Sequence, residues 1–95
     1  MQRYRYLVAY DISDPNRLTR VRKRVKGYGD VMQYSVFVCD LDAREKARLT
    51  ADLLGIIVAG IDRVAIIEIG LAGDRESFEF LGPPPALPVE GPLVY

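Results

Sequence analysis

The sequence predicts an α+β sandwich in which two helices lie on one face of a mainly antiparallel sheet. Three observations carry this reading. Segments rich in β-branched and aromatic residues are separated by two segments whose apolar residues recur at helical spacing. Each helical segment opens on a residue able to cap it and closes on glycine. The resulting order, strand, helix, one or two strands, helix, strand, strand, fits one layer of helices on one sheet. The 95 residues show no repeat and no composition shift that would mark a second domain.

Residues 3–10, RYRYLVAY, form the first predicted strand, and the continuous run Leu7, Val8, Ala9 suits a central position in the sheet. Ser13 or Asp14 can cap the helix that follows, with Pro15 in its first turn. From Pro15 to Lys26, Leu18, Val21 and Val25 mark the buried stripe. The GYG at 27–29 ends the helix, with Gly27 or Gly29 available for the left-handed conformation. Residues 31–41, VMQYSVFVCDL, are extended, as one long strand or as two divided near Tyr34–Ser35. Asp42 followed by Glu45 forms an acidic capping box for a helix that runs to about Leu54 and stops at Gly55. RVAIIEIG at 63–70 is a strand, and SFEFLG at 77–82 a shorter one. The tail PPPALPVEGPLVY holds five of the six prolines and reads as an extended arm ending in a short apolar strand. If the middle segment divides, the order becomes βαββαβ with an extra C-terminal strand, the ferredoxin-like arrangement. Residues 1–82 then form the domain, and 83–95 an arm that docks on a dimer partner.

Composition removes several chemistries. The chain contains no histidine, so imidazole catalysis and histidine metal ligation are excluded. A single cysteine, Cys39, excludes an internal disulfide and any multi-cysteine zinc site, and reads as a small buried hydrophobe. The N-terminus lacks a signal-peptide pattern, and no window reaches the ~18 apolar residues of a membrane span. A soluble cytoplasmic protein that makes no membrane contact is the expectation. The net charge of zero conceals an asymmetry: residues 1–29 carry eight Arg/Lys against two Asp, and the remainder five against eleven Asp/Glu.

Two features offer function. Asp11 sits where an apolar strand ends and a helix begins, the place where ligands gather in open sheets. It is either a turn residue or a site carboxylate. One carboxylate per chain is a sparse ligand set for Mg²⁺, and becomes adequate if a twofold dimer brings two copies together. The first helix then carries six cations between Arg17 and Lys26 with no acid among them, a self-repelling arrangement that favours a polyanion partner. Arg17, Arg20, Lys23 and Arg24 are its candidate phosphate contacts. In QYSVF, residues 33–37, Tyr34 and Phe37 are either packing residues or a stacking surface, and Ser35 either a phosphate donor or a bend residue.

Taken in order, the strand ending Tyr-Asp-Ile, the Arg-rich helix, the Tyr-Gly helix end and Gln-Tyr-Ser-Val-Phe resemble the N-terminal half of the small CRISPR-associated proteins of the Cas-two family. The motifs span residues 4–41, and the rest agrees in length and element order. The resemblance implies a ferredoxin-like homodimer that bridges copies of the larger Cas-one integrase and binds spacer-precursor DNA. It also implies Mg²⁺- or Mn²⁺-dependent cleavage of single-stranded RNA or of DNA. By position, Asp11 matches the family's metal-site and catalytic aspartate, Arg17 and Arg20 its helix arginines, and Ser35 and Phe37 its Ser-Val-Phe motif. Where some members carry an arginine before that motif, this chain has Val31 and Met32, a departure that bears on cleavage more than on DNA binding. A non-catalytic DNA-binding scaffold and a relative of toxin-type endoribonucleases are the alternatives.

Overall fold

The computed structural model describes residues 2–72 together with residues 79, 81 and 82. Its elements are β1 (Tyr4–Asp11), α1 (Pro15–Lys26), β2 (Asp30–Gln33), β3 (Val36–Leu41), α2 (Ala43–Leu54) and β4 (Arg63–Leu71). The middle segment therefore divides at Tyr34–Ser35, and the order is βαββαβ. The four strands form one antiparallel sheet in the order β2-β3-β1-β4, with β1 central as its apolar run predicts. This is the ferredoxin-like arrangement. The predicted strand at 77–82 and the arm at 83–95 fall largely outside the described residues, and the division into domain and arm with them.

Strand alternation sorts β1 into two faces. Tyr6, Val8 and Tyr10, with Ile12 just beyond, join Phe37, Cys39 and Leu41 of β3 and Val31 of β2 in the core. Val21 and Val25 of α1 and Leu49 and Leu53 of α2 close this core from above. Opposite lie Leu7, paired with Val38 and Ile67, and Ala9, paired with Val36 and Ala65. No helix among the described residues covers that second face, and Ile67 there is 51% exposed. Arg5, also on that side, is buried and forks onto Asp40 at 2.9 and 3.2 Å.

The helix starts follow local chemistry. The Asp14 carboxylate accepts the Arg17 backbone N–H at 2.9 Å, and Pro15 occupies the first helical turn. Asp42 and Glu45 complete a reciprocal capping box at 2.8 and 3.0 Å, as their spacing predicts. The Glu45 backbone N–H donating to it, together with Arg3 nearby, holds the Asp42 carboxyl below the usual carboxylate range.

The end of α1 differs from expectation. Gly27 is right-handed at φ −73°, and neither Gly27 nor Gly29 has a positive φ. Gly29 is required for a different reason: a Cβ there would collide with the Val38 carbonyl oxygen and lie 2.5 Å from Cys39 Sγ. The chain enters β2 pressed against β3, and only a residue without a side chain fits. A left-handed glycine occurs instead in β4. Gly70, at φ 141°, follows the unpaired Ile69 in a bulge that shifts the register between Arg5 and Tyr6.

Candidate nucleic-acid interface

Around the carboxyl end of β1, polar residues sit in very different environments. Asp11 is the last residue of the strand, opposite Arg63 of β4, and is exposed. Ile12, buried in the core, anchors the chain immediately after it. Asp14 performs the capping, so Asp11 has no part in starting the helix. Among the described residues nothing hydrogen-bonds to or ion-pairs with its carboxylate, and no group of three potential metal ligands forms. The end of β1 thus presents an open carboxylate, which suits a cation completed by water, substrate phosphates and a second carboxylate from elsewhere.

Arg17, one turn into α1, is committed to the fold. Its Nε and Nη2 donate to Asp62 at 2.7 and 3.2 Å, the bidentate fork that arginine makes with a carboxylate. The Asp62 side chain is fully buried and also accepts the Val58 N–H at 2.9 Å. The Arg17 fork is the main reason the Asp62 carboxyl lies below its ordinary range, with the Val58 bond second, and Asp62 in turn raises Arg17. This pair ties the start of α1 to the loop before β4, directly beside the Asp11–Arg63 pairing.

The other cations of α1 divide. Arg24 reaches Asp52 of α2 at 3.3 Å while remaining half-exposed, and Tyr28 donates to the same carboxylate at 3.0 Å. Arg20 and Lys23 are exposed and make no ion pair among the described residues. Arg22 lies over the ring of Tyr34, 5.2 Å from its centroid. The predicted phosphate contacts are therefore not equivalent. Arg20 and Lys23 face solvent, Arg24 is tethered at the surface, and Arg17 is held by a buried acid.

In QYSVF the structure separates the two aromatic candidates. Phe37 is 1% exposed and stacks on Tyr10 with ring centroids 6.3 Å apart, so it is a core residue and presents no face for a base. Tyr34 is 71% exposed. Ser35 is half-buried in the turn, and its carbonyl accepts the Tyr10 N–H at 3.1 Å, which stitches the turn to the end of β1. The Tyr10 hydroxyl beneath is buried without a hydrogen-bond partner. Burial raises its pKa, with Arg22 drawing it back and Tyr34 pushing it further up. Tyr34 was legible in principle, since it is out of phase with the buried positions Val31, Phe37, Cys39 and Leu41. Asp62 gave no such signal, because its partner lies 45 residues away. Cys39 is buried, and its thiol, pushed up to about 12 by burial, stays protonated and unreactive.

A model of the family described as CRISPR associated protein Cas2 matches residues 4–76. The chain belongs to the Cas2 family. It is 41% identical over 78 residues to a protein named CRISPR-associated endoribonuclease Cas2 1 of Rhodospirillum rubrum, covering 81% of this chain and 76% of that one. A Cas2 protein of Nitratidesulfovibrio vulgaris, also named an endoribonuclease, is 38% identical over 93% of this chain and 90% of its own length. A relative in Halalkalibacterium halodurans is named a CRISPR-associated endonuclease, at 29% identity over 94% of this chain and 97% of its own. Among solved structures, Streptococcus pyogenes Cas2 at pH 6.5 superimposes with a TM-score of 0.73 at 30% identity, over 82% of this chain and 99% of that one. A hypothetical protein of Thermus thermophilus reaches a TM-score of 0.77 at 34% identity, over 90% and 98%. The Cas2 fold accounts for the sheet order and the one-sided helices. No helix among the described residues is long and apolar enough to cross a membrane.

Proposed function

We propose that the chain acts as a homodimeric endonuclease of a CRISPR system, binding nucleic-acid phosphates along α1 and cleaving a phosphodiester at Asp11. The observation that carries this reading is the open Asp11 carboxylate, exposed and unpaired among the described residues, at the end of the central strand. The endonuclease names of the relatives point the same way. Asp11, with its copy from a second chain, would hold Mg²⁺ or Mn²⁺, which supplies a polarised phosphodiester and an activated water when bound. The chain's own part is positional. The Arg17–Asp62 fork fixes the loop around Asp11, and Arg20 and Lys23 offer charge to neighbouring phosphates. The half-exposed face of Leu7, Val38 and Ile67 supports pairing of two copies, because burying it removes apolar surface from water.

A second reading is favoured by the exposed cations Arg20 and Lys23, which make no ion pair among the described residues and suit phosphate binding without cleavage. In it the dimer is a scaffold that binds spacer-precursor DNA in the cytoplasm and bridges copies of the Cas-one integrase without cleaving. Wild type and Asp11→Ala, compared on RNA and DNA with and without Mg²⁺ or Mn²⁺, separate the two. Metal-dependent cleavage that vanishes in Asp11→Ala supports the endonuclease, and cleavage unchanged by that substitution removes Asp11 from the reaction. Steeply salt-dependent DNA binding without cleavage in either protein favours the scaffold.

A further inference from the structure

We infer that Tyr34, backed by Arg22, is a stacking contact for an unpaired base, and that this contact makes the turn between β2 and β3 a single-strand-selective part of the interface. The inference rests on the nucleic-acid reading above and adds a residue and a specificity to it.

Four observations converge on the turn. First, the tyrosines of the described residues otherwise sit in or against the core: Tyr6 and Tyr10 are buried, and Tyr4 and Tyr28 pack against the core cluster. Tyr34 alone among them is exposed, at 71%, in a two-residue turn where small or polar residues ordinarily serve. Second, the backbone of the turn is anchored on both sides. Gln33 and Val36 pair across the turn, neither turn residue has a positive φ, and the Ser35 carbonyl is bonded to the Tyr10 N–H. Third, the Arg22 guanidinium lies over the ring at 5.2 Å from the centroid, which orients the ring and adds a cation beside it. Fourth, the nearby Tyr10 hydroxyl is buried without a partner. Arg22, a donor-only group, lies on the Tyr34 ring and makes no hydrogen bond to that hydroxyl.

A tyrosine face backed by a guanidinium suits a nucleobase, whose π-face stacks on aromatic rings without regard to sequence. The bases of a duplex stack on one another and present no free face, so the contact is open only to single strands, bulges and ends.

The test uses the full chain and fluorescence anisotropy with a single-stranded RNA, the same strand carrying one abasic position, and a DNA duplex of equal length. Tyr34→Ala should weaken single-strand binding about tenfold, within the range for one lost base stack. Duplex binding should stay within about twofold. Tyr34→Phe should bind single strands like wild type, and a 2-aminopurine strand should show stacking quench with wild type and Tyr34→Phe but not with Tyr34→Ala. Unchanged single-strand affinity in Tyr34→Ala, or equal losses on single strand and duplex, overturns the inference. The doubly substituted Arg20→Glu, Lys23→Glu chain tests the parent reading. If it loses both ligands while Tyr34→Ala is silent, only the stacking role fails. If wild type binds neither ligand, the nucleic-acid reading and this inference fall together.

Discussion

Asp11 and Asp62 lie at the same end of the sheet, one closing β1 and the other just before β4, and have opposite circumstances. Asp62 is buried, forked by Arg17 and bonded to the Val58 N–H. Asp11, paired in register with the residue just after Asp62, is exposed and without a partner among the described residues. A buried carboxylate must be paired, because an unpaired one is costly to remove from water. An exposed one at a strand end is under no such demand and remains open to a ligand. One aspartate holds the loop in place, and the other is held out by it.

The largest effect that sharpens this contrast is on catalysis. Changing a partner of a metal ligand typically costs 10–100-fold in affinity or activity, so if Asp11 is the ligand we propose, Asp11→Asn should cost more than about a hundredfold in metal-dependent cleavage. Its denaturation midpoint should match wild type, since exposed substitutions usually change stability by less than ~0.5 kcal/mol. A destabilised Asp11→Asn with normal cleavage would invert the assignment of the two residues.

Asp62→Asn should do the reverse, lowering stability at neutral pH. The sign with pH follows from linkage. The folded Asp62 carboxyl lies below its ordinary value, so its contribution is present above an unfolded pKa of about 3.9 and is lost as pH falls through the lower folded value. Urea titrations at falling pH should therefore show wild type losing stability below about pH 4. Asp62→Asn should show a shallower decline, with Asp42 supplying part of what remains. Parallel curves for the two proteins would mean that Asp62 is not held in its charged form by the fold.

The same contrast shows what could be read from the sequence. Features set by neighbours along the chain were legible: the Asp42–Glu45 box, Pro15 in the first turn, and the stripe of Val21 and Val25. The division at Tyr34–Ser35 was visible only as an alternative, because a strand with a bend and two strands carry the same composition. Features set by contacts across the fold were not legible. Arg17 resembles the other helix arginines until β4 brings Asp62 to it, and Gly29 resembles a helix stop until β3 is packed against it. Phe37 and Tyr34 belong to one motif, and the division of the strand decides between them: Phe37 falls on the inward side of β3 and Tyr34 in the turn.

Arginines on α1 give a finer version of the comparison. Arg20→Ala should reduce the slope of log binding constant against log salt by about 0.7–0.9, the loss of one phosphate contact. Arg17→Ala should lower stability while leaving that slope near the wild-type value, because its charge is already engaged by Asp62. Binding isotherms at several salt concentrations distinguish them, and equal slope changes would place Arg17 at the nucleic acid after all.

The smallest expected effect concerns a third environment at this end of β1, buried and unpaired. The Tyr10 hydroxyl lacks a partner among the protein's described groups, while its ring is 5% exposed and stacked against Phe37. A buried polar group without a hydrogen bond costs about 1–3 kcal/mol, and removing it without changing shape is neutral or stabilising. Tyr10→Phe keeps the ring and its packing, so it should raise stability by about 1 kcal/mol. For a domain of this size that is an increase of roughly 4–8 °C in melting temperature. A loss of similar size would mean that the hydroxyl is satisfied in solution, by water or by Arg22 turning away from Tyr34. In that case Tyr34→Ala, which frees Arg22, should itself be stabilising, and the two substitutions measured together would not be additive.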